Sequence, residues 1–385
     1  MISLLFDNVF NPHNWEVVPF HFWSLLFFVL GAIVGSFLNV CIYRMPLELS
    51  IVSPPSHCPH CKYAIPFYLN IPLVTWLMLR GRCRNCGAPI SPRYFIVELL
   101  TGLTFLACWL VFGAQPAGPW LALVYCLFLS GLIVATFIDF EHFIIPDEIT
   151  LGGTIAGFVI SCFLPPLHGV HTHGQALVQS AIGMAVGGGI VYAVLRGGKL
   201  LFGRQRLKLP PDATIVFTET ALCLPNKEIP YDDVFYRPSD TIVFRARHLE
   251  LVDRGYASAT VRLSPSRLQI DDEVIPPESV AHLEAVCSEI VLPREAMGLG
   301  DVKFMAAIGA FLGWEAVIFT LLIASVVGAL YGGLMVLLHK REWSGRIYFG
   351  PFLAVAATIW VFAGHRLVNW YLHFSDQILT HLMTH

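Results

Sequence analysis

Residues 120–147 read WLALVYCLFLSGLIVATFIDFEHFIIPD, in which an uncharged apolar run from Trp120 to Ile138 ends on a carboxylate, Asp139. About 20 such residues cross the hydrocarbon core of a bilayer as a helix, so the stretch predicts a membrane span finishing at or just before Asp139. An ionisable group at membrane depth is costly unless it serves a site. Asp139 is therefore either a functional carboxylate or an interfacial one that fixes a helix end.

Similar apolar runs lie at Phe20 to Tyr43, Tyr94 to Phe112, Ile149 to Leu164, Ala176 to Leu195, Ala316 to Leu338 and Phe349 to Val368, with a shorter one from Val302 to Leu312. The whole chain agrees: 385 residues are 56% hydrophobic and 13% charged, with a mean hydropathy of +0.65, which exceeds soluble globular usage. Nothing in it suggests nucleic-acid binding, and the net charge of -3 says little where charges segregate by side. Met1 to Pro19 lacks Lys and Arg and shows no cleavable signal, so the first apolar run is expected to stay as an anchor.

Positively charged loops face the cytoplasm. Arg44, Lys62, Arg80, Arg82, Arg84 and Arg93 place the loop after the first span inside, and Arg196 to Lys208 follows the fifth span. Lys340, Arg341 and Arg346 are also expected inside, so an even number of crossings separates these last two groups. The short Val302 run then crosses as well, giving about eight transmembrane helices with both termini outside and Arg366 as the dissenting charge.

Residues 197–296 differ: they hold about half of the charged residues and no run able to cross a membrane. Thr214 to Thr218, Thr241 to Arg245 and Ala259 to Leu263 are β-branched and aromatic runs separated by Pro, Asp and Gly. The segment reads as a soluble, β-rich cytoplasmic insert. The expected organisation is 1–46 for the first helix, 47–93 for a cytoplasmic loop, 94–196 for helices two to five, the insert, and 297–385 for helices six to eight.

A second carboxylate, Asp301, follows Gly298-Leu299-Gly300 at the predicted start of the sixth span. The two glycines remove side chains beside Leu299 and allow a helix or an extended substrate to approach closely. Asp139 and Asp301 thus sit on one membrane face. Two neighbouring carboxylates cannot both ionise easily, so one can take a proton from water while the other polarises a scissile carbonyl.

Cys58-Pro59-His60-Cys61 and Cys83-Arg84-Asn85-Cys86 form two Cys-x2-Cys knuckles, the spacing of a structural four-cysteine zinc site. Two disulfides are the alternative, disfavoured in a reducing cytoplasmic loop. His57 and His60 read as bystanders, and Trp76 as an interfacial anchor between the knuckles. Glu98 reads as a structural ion pair with Arg44 or Arg93, or as a residue orienting substrate. His168, His171 and His173 read as a solvated polar loop, with metal binding in the outer loop as the alternative. Glu141 and Asp147 either tune the carboxylate pair or cap a helix.

The chain resembles the bacterial type IV prepilin peptidases, intramembrane aspartic proteases of the Gly-x-Gly-Asp type. Asp139 with Pro146 and Asp147 matches the first catalytic stretch, and Gly298, Gly300 and Asp301 with Val302 and Lys303 match the second. Gly35-Ser36-Phe37-Leu38-Asn39-Val40 with Tyr43-Arg44-Met45-Pro46, and Phe349-Gly350-Pro351-Phe352-Leu353-Ala354, resemble the first and last span signatures. The match covers nearly all of the chain except the insert.

The resemblance implies Asp139 and Asp301 as the catalytic pair, supported by Gly298, Gly300, Asp147, Lys303 and Glu98. It implies cleavage of the basic leader of prepilins or type II secretion pseudopilins at the cytoplasmic face of the inner membrane. It further implies N-methylation of the new terminus with S-adenosylmethionine, for which no Gly-rich loop marks a site. The insert is the departure from the pattern and either docks substrate or a pilus or secretion-assembly partner, or is a neutral insertion. A proton-coupled transporter using intramembrane carboxylates is the competing class, but it needs polar groups and broken helices near the midplane. A zinc-stabilised scaffold without chemistry is the third reading.

Overall fold

The computed structural model describes residues 19–383 except 116, 203, 211–212, 226, 232–233, 236–239, 252–253, 281, 294–297 and 339–347. Residues 1–18 and the expected cytoplasmic Lys340, Arg341 and Arg346 lie outside the described residues. The chain divides into two units, 1–191 with 299–385, and 192–298.

The first unit is helical. Its helices are α1 (Phe20–Arg44), the short α2 (Val74–Met78), α3 (Pro92–Phe112), α4 (Gly118–His142), α5 (Asp147–Phe163), α6 (His173–Phe202), α7 (Leu299–Leu337), α8 (Gly350–Ile359) and α9 (His365–Met383), with the π-turn Trp360–Gly364 joining the last two. Six helices are long and apolar enough to cross a membrane, starting at Phe20, Pro92, Gly118, His173, Leu299 and Gly350.

Two of the expected spans fall outside that six for identifiable reasons. α5 has 17 residues. α7 counts as one 39-residue helix although Gly313 interrupts it with φ 80° and ψ 178°. That is a left-handed φ that side chains other than glycine avoid. Before the break, Gly300 packs on Ile145 and Phe311 stacks with Phe128. After it, Phe319 packs on Trp360 and Tyr331 on Phe352, so residues 314–337 travel back toward the end that carries Gly300.

Close backbone contact holds α6 to the first arm of α7. A Cβ at Gly183 would sit 2.1 Å from the Gly309 carbonyl oxygen, and one at Gly187 would sit 2.3 Å from that of Met305. This is a Gly-x3-Gly face, in which missing side chains let helices meet where lipid supplies no hydrophobic drive. The Ser180 hydroxyl donates to the Ala310 carbonyl at 2.9 Å in the same seam. At Gly300, by contrast, a Cβ would meet Ile145 at an ordinary 3.6 Å.

The second unit carries a ten-stranded antiparallel sheet, with β2 (Thr214–Phe217), β5 (Ile242–Leu251), β6 (Gly255–Ser264) and β9 (Leu283–Val286) at its centre. Alternation along β5 sends Ile242, Phe244 and Ala246 inward, as a half-buried strand requires. They join Leu222, Leu249, Val261, Leu268 and Ile290 in a core belonging to this unit alone. α6 extends to Phe202 before the first strand, Arg204–Lys208, so the helical run passes the composition change at Gly197.

Candidate functional site

Asp139 lies in the last turn of α4, and its side chain is buried. Phe143 caps that helix with φ 56° and returns its N–H to the Asp139 carbonyl, which turns the chain immediately after the carboxylate. Oδ2 of Asp139 accepts the backbone N–H of Gly350 at 3.1 Å, in the first turn of α8. A Cβ on Gly350 would lie 2.7 Å from that oxygen, so only glycine leaves this space for the carboxylate.

Ile145 connects this point to the second aspartate. Its Cδ1 is 3.2 Å from the Cβ position of Gly350, and its Cβ is 3.6 Å from that of Gly300, the residue before half-buried Asp301. Two residues on, Lys303 Nζ donates to both oxygens of Asp147 at 2.7 and 2.9 Å. The expected first and second stretches therefore meet at one end of the bundle, Asp139 on α4 and Asp301 in the first turn of α7. Gly298 closes the other unit.

The aromatic residues over this end were not singled out by sequence reasoning. Phe143 stacks on Tyr348 with ring centres 4.0 Å apart, and Phe140 meets Tyr348 edge-on at 5.5 Å. An exposed Phe140-x2-Phe143 pair directly after a catalytic candidate was the available signal.

Glu98 is buried on α3, but its partners are not the expected arginines. Its Oε2 accepts the Leu73 N–H at 2.7 Å. Arg44 instead donates to the Ser50 and Pro54 carbonyls, and Arg93 pairs with Glu141. Leu73 has φ 61°, a strained start to α2 that the Glu98 contact holds. Trp76 packs against Phe95 and against the Cα face of Gly81.

The two knuckles have matching backbones. Cys58 N–H donates to Tyr63 O and Lys62 N–H to Cys58 O, while Cys83 N–H donates to Ala88 O and Gly87 N–H to Cys83 O. Lys62 and Gly87 both take positive φ, 58° and 71°, and the His57–Ala64 bridge matches Arg82–Pro89. The four sulfur atoms lie within 4.8 Å of one another, with Cys58 to Cys86 at 3.9 Å and Cys61 to Cys83 at 4.0 Å. A tetrahedral zinc with about 2.3 Å bonds to sulfur needs edges of about 3.8 Å, so the donors fit a metal. The cysteines are free thiols. The Asn85 amide, 3.6 Å from Cys61 Sγ, leads the effects that bring that thiol down to about 6, and backbone N–H groups lower Cys83. Both favour the thiolate that metals bind.

Between α1, α3 and the knuckles lies a cavity of about 740 Å³ lined by Asn39, Tyr43, Trp76, Arg93, Tyr94 and Glu98 among others. Its volume is that of a small-molecule site.

The histidine loop is not solvated at His168. Its Nε2 is 2.8 Å from the Ser161 hydroxyl, its Nδ1 is shielded without a partner and lies 3.5 Å from the Cβ position of Gly313. Burial lowers its pKa to about 4. His173 Nδ1 contacts the Cys162 carbonyl at 2.8 Å.

Residues 29–112 match the bacterial peptidase A24 N-terminal domain, and residues 126–207 and 279–333 match the type IV leader peptidase family. A prepilin leader peptidase/N-methyltransferase of Aeromonas hydrophila is 28% identical over 380 residues, covering 92% of this chain and 95% of that protein. One from Myxococcus xanthus is 48% identical over 161 residues, 42% of this chain and 45% of that protein, so there the chain spans about half the relative's length. A type 4 prepilin-like proteins leader peptide-processing enzyme of Escherichia coli is 43% identical over 147 residues, 34% of this chain and 53% of that protein. No solved structure matches the chain. With both family domains matched in order and one relative aligned along nearly its whole length, the chain belongs to the type IV leader peptidase family.

Proposed function

We propose that this chain is a membrane aspartic endopeptidase that removes the basic leader of prepilins or pseudopilins at the cytoplasmic face of the bacterial inner membrane. Asp139 and Asp301 are its catalytic carboxylates. The observation that carries the reading is the meeting of two distant stretches at Ile145, with the Gly350 N–H holding one oxygen of Asp139. A positioned carboxylate is what general base catalysis requires. The second carboxyl, protonated, donates to the scissile carbonyl, and the pair titrates as a unit.

Eight crossings fit this placement. α5 counts as one, and the reversal at Gly313 makes two of α7, so both aspartates begin or end helices at the end carrying Arg44, Arg93 and the knuckles. A substrate whose basic leader stays inside presents its scissile bond there.

The same chain methylates the new N-terminus. S-adenosylmethionine, when bound, supplies an electrophilic methyl group for that amine. The cavity beside α1 and α3 fits such a group in size. Zinc held by Cys58, Cys61, Cys83 and Cys86 is structural, because four thiolates leave no open position. Incubating the purified chain with a prepilin tests the reading. The product should lose its basic leader and, with methyl donor present, gain one methyl group; an intact prepilin would overturn it.

A further inference from the structure

The outward side of the insert's sheet is divided by charge. Leu207, Ile290, Phe244, Val261 and Ile270 pair in one row across β1 (Arg204–Lys208), β10 (Glu289–Pro293), β5, β6 and β7 (Arg267–Ile270), and this row packs in the core. Side chains alternate along a strand, so the neighbouring row, Arg206, Val291, Val243, Arg262 and Gln269, faces out. Arg204, Lys208, Arg245 and Arg267 share that side by the same alternation, and all six cations are exposed. The carboxylates among them are Glu289, 3.7 Å from Arg206, and Asp271, whose Oδ1 accepts the Thr260 N–H at 2.8 Å.

The other half of the outward side is acidic. Glu250 on β5 lies directly opposite Glu284 on β9, and Glu228 continues that row through Val216 and Cys223. His248 and His282 stand beside these carboxylates.

The basic half is the one tied to the end of the membrane helix. The apolar span of α6 closes at Leu200 and Arg204 opens β1, so at most about 14 Å of chain separates the two. Lys199 Nζ also meets the buried carboxylate of Asp240 at 3.3 Å. Asp240 comes just before β5 begins at Ile242, so this pair holds the helix end against the basic end of that strand, within one unit of the chain.

We propose that the basic half of the insert's sheet docks on anionic lipid headgroups through Arg206, Arg245 and Arg262. The forked guanidinium matches phosphate oxygens, and cations next to a span are drawn to an anionic leaflet within the screening length of about 10 Å. Half-buried Val243 and Val291 lie between the arginines, which suits the boundary of headgroup and acyl chain better than a nucleic acid. The acidic half has the lipid's own sign of charge, which decides the way the insert lies on the bilayer.

Arginine modification by phenylglyoxal, followed peptide by peptide in a mass spectrometer, tests this on the full-length protein. The protein is placed in nanodiscs of phosphatidylcholine alone or of an equal mixture with phosphatidylglycerol. Arg245 and Arg262 should react about threefold more slowly in the mixture, and strong salt should remove the difference by screening. Arg254, at the far end of the β5–β6 hairpin and bonded to Glu273 at 2.8 Å, should react alike in both. Arg206→Gln with Arg245→Gln should return Arg262 to its phosphatidylcholine rate at an unchanged melting temperature. Equal rates in both lipids overturn the proposal, and so does equal slowing of Arg254, which would be a bulk effect. Protection of Arg262 that survives in the double variant would mean that protein, not lipid, covers the row. Protection that appears only when prepilin is added would assign the row to substrate and equally overturn the proposal.

Discussion

The backbone N–H of Gly350 donates to Oδ2 of Asp139 at 3.1 Å, across 211 positions of sequence. The start of the last apolar segment thereby becomes part of the site at the end of α4. Gly350→Ala places a methyl group 2.7 Å from that oxygen and must displace the carboxylate. Misplacing a catalytic group by about 1 Å can cost about a hundredfold. Turnover at saturating prepilin should fall at least tenfold while KM changes little; wild-type turnover would show that this contact does not position Asp139.

The purified protein should carry one zinc per chain. Cys58→Ser or Cys83→Ser should lower the metal content and the melting temperature before altering the chemistry of the aspartates, because metal affinity in such a site is folding free energy. Metal content near zero in a reduced preparation would contradict the four-thiolate centre.

The α6–α7 seam should tolerate no side chain at Gly187, where a Cβ meets the Met305 carbonyl oxygen at 2.3 Å. Gly187→Val should destabilise the helical unit by about 3 kcal/mol, the upper range for overpacking. Gly189, with nothing within 4 Å of its Cβ position, should accept alanine with no measurable change in melting in detergent. Equal behaviour of the two variants would remove the seam from the account.

His168 should make stability fall in acid. Its folded pKa of about 4 is set by burial, below the roughly 6.5 of an exposed imidazole. The unfolded chain therefore binds the proton first as pH drops. The His168 contribution is complete above about pH 6.5 and is lost as pH falls toward 4. His168→Asn should flatten that part of the melting-temperature profile; an unchanged slope would mean that the imidazole at the Gly313 break does not control it.

Much of this was legible in the sequence because membrane helices advertise themselves by composition. The apolar runs ending at Asp139 and starting near Asp301 correspond to α4 and α7, and the strands expected at Thr214, Thr241 and Ala259 match β2, β5 and β6 within a few residues. The knuckles were legible for the same reason, since a metal cluster is written in short-range spacing. Long-range partners were not. Nothing local tells Glu98 to choose the Leu73 N–H over Arg44 or Arg93, because the Leu73 N–H is presented to it only by a chain that enters α2 at a positive φ. The Gly183-x3-Gly187 face was visible as a pattern, yet a glycine pair states that something approaches without saying what. His168 looked solvated because its loop is polar, and its burial follows only from the chain reversal at Gly313.

Asp139 and Asp301 are proposed to act as one catalytic pair. The most direct measurement is the turnover of one purified prepilin by wild type, Asp139→Asn, Asp301→Asn and the double variant, each checked for zinc content and melting temperature. Each single variant should lose leader cleavage as completely as the double variant while remaining folded, since members of a catalytic unit do not lose activity additively. Near-wild-type turnover in either folded single variant would contradict it, as would an inactive Asp147→Asn beside an active Asp139→Asn.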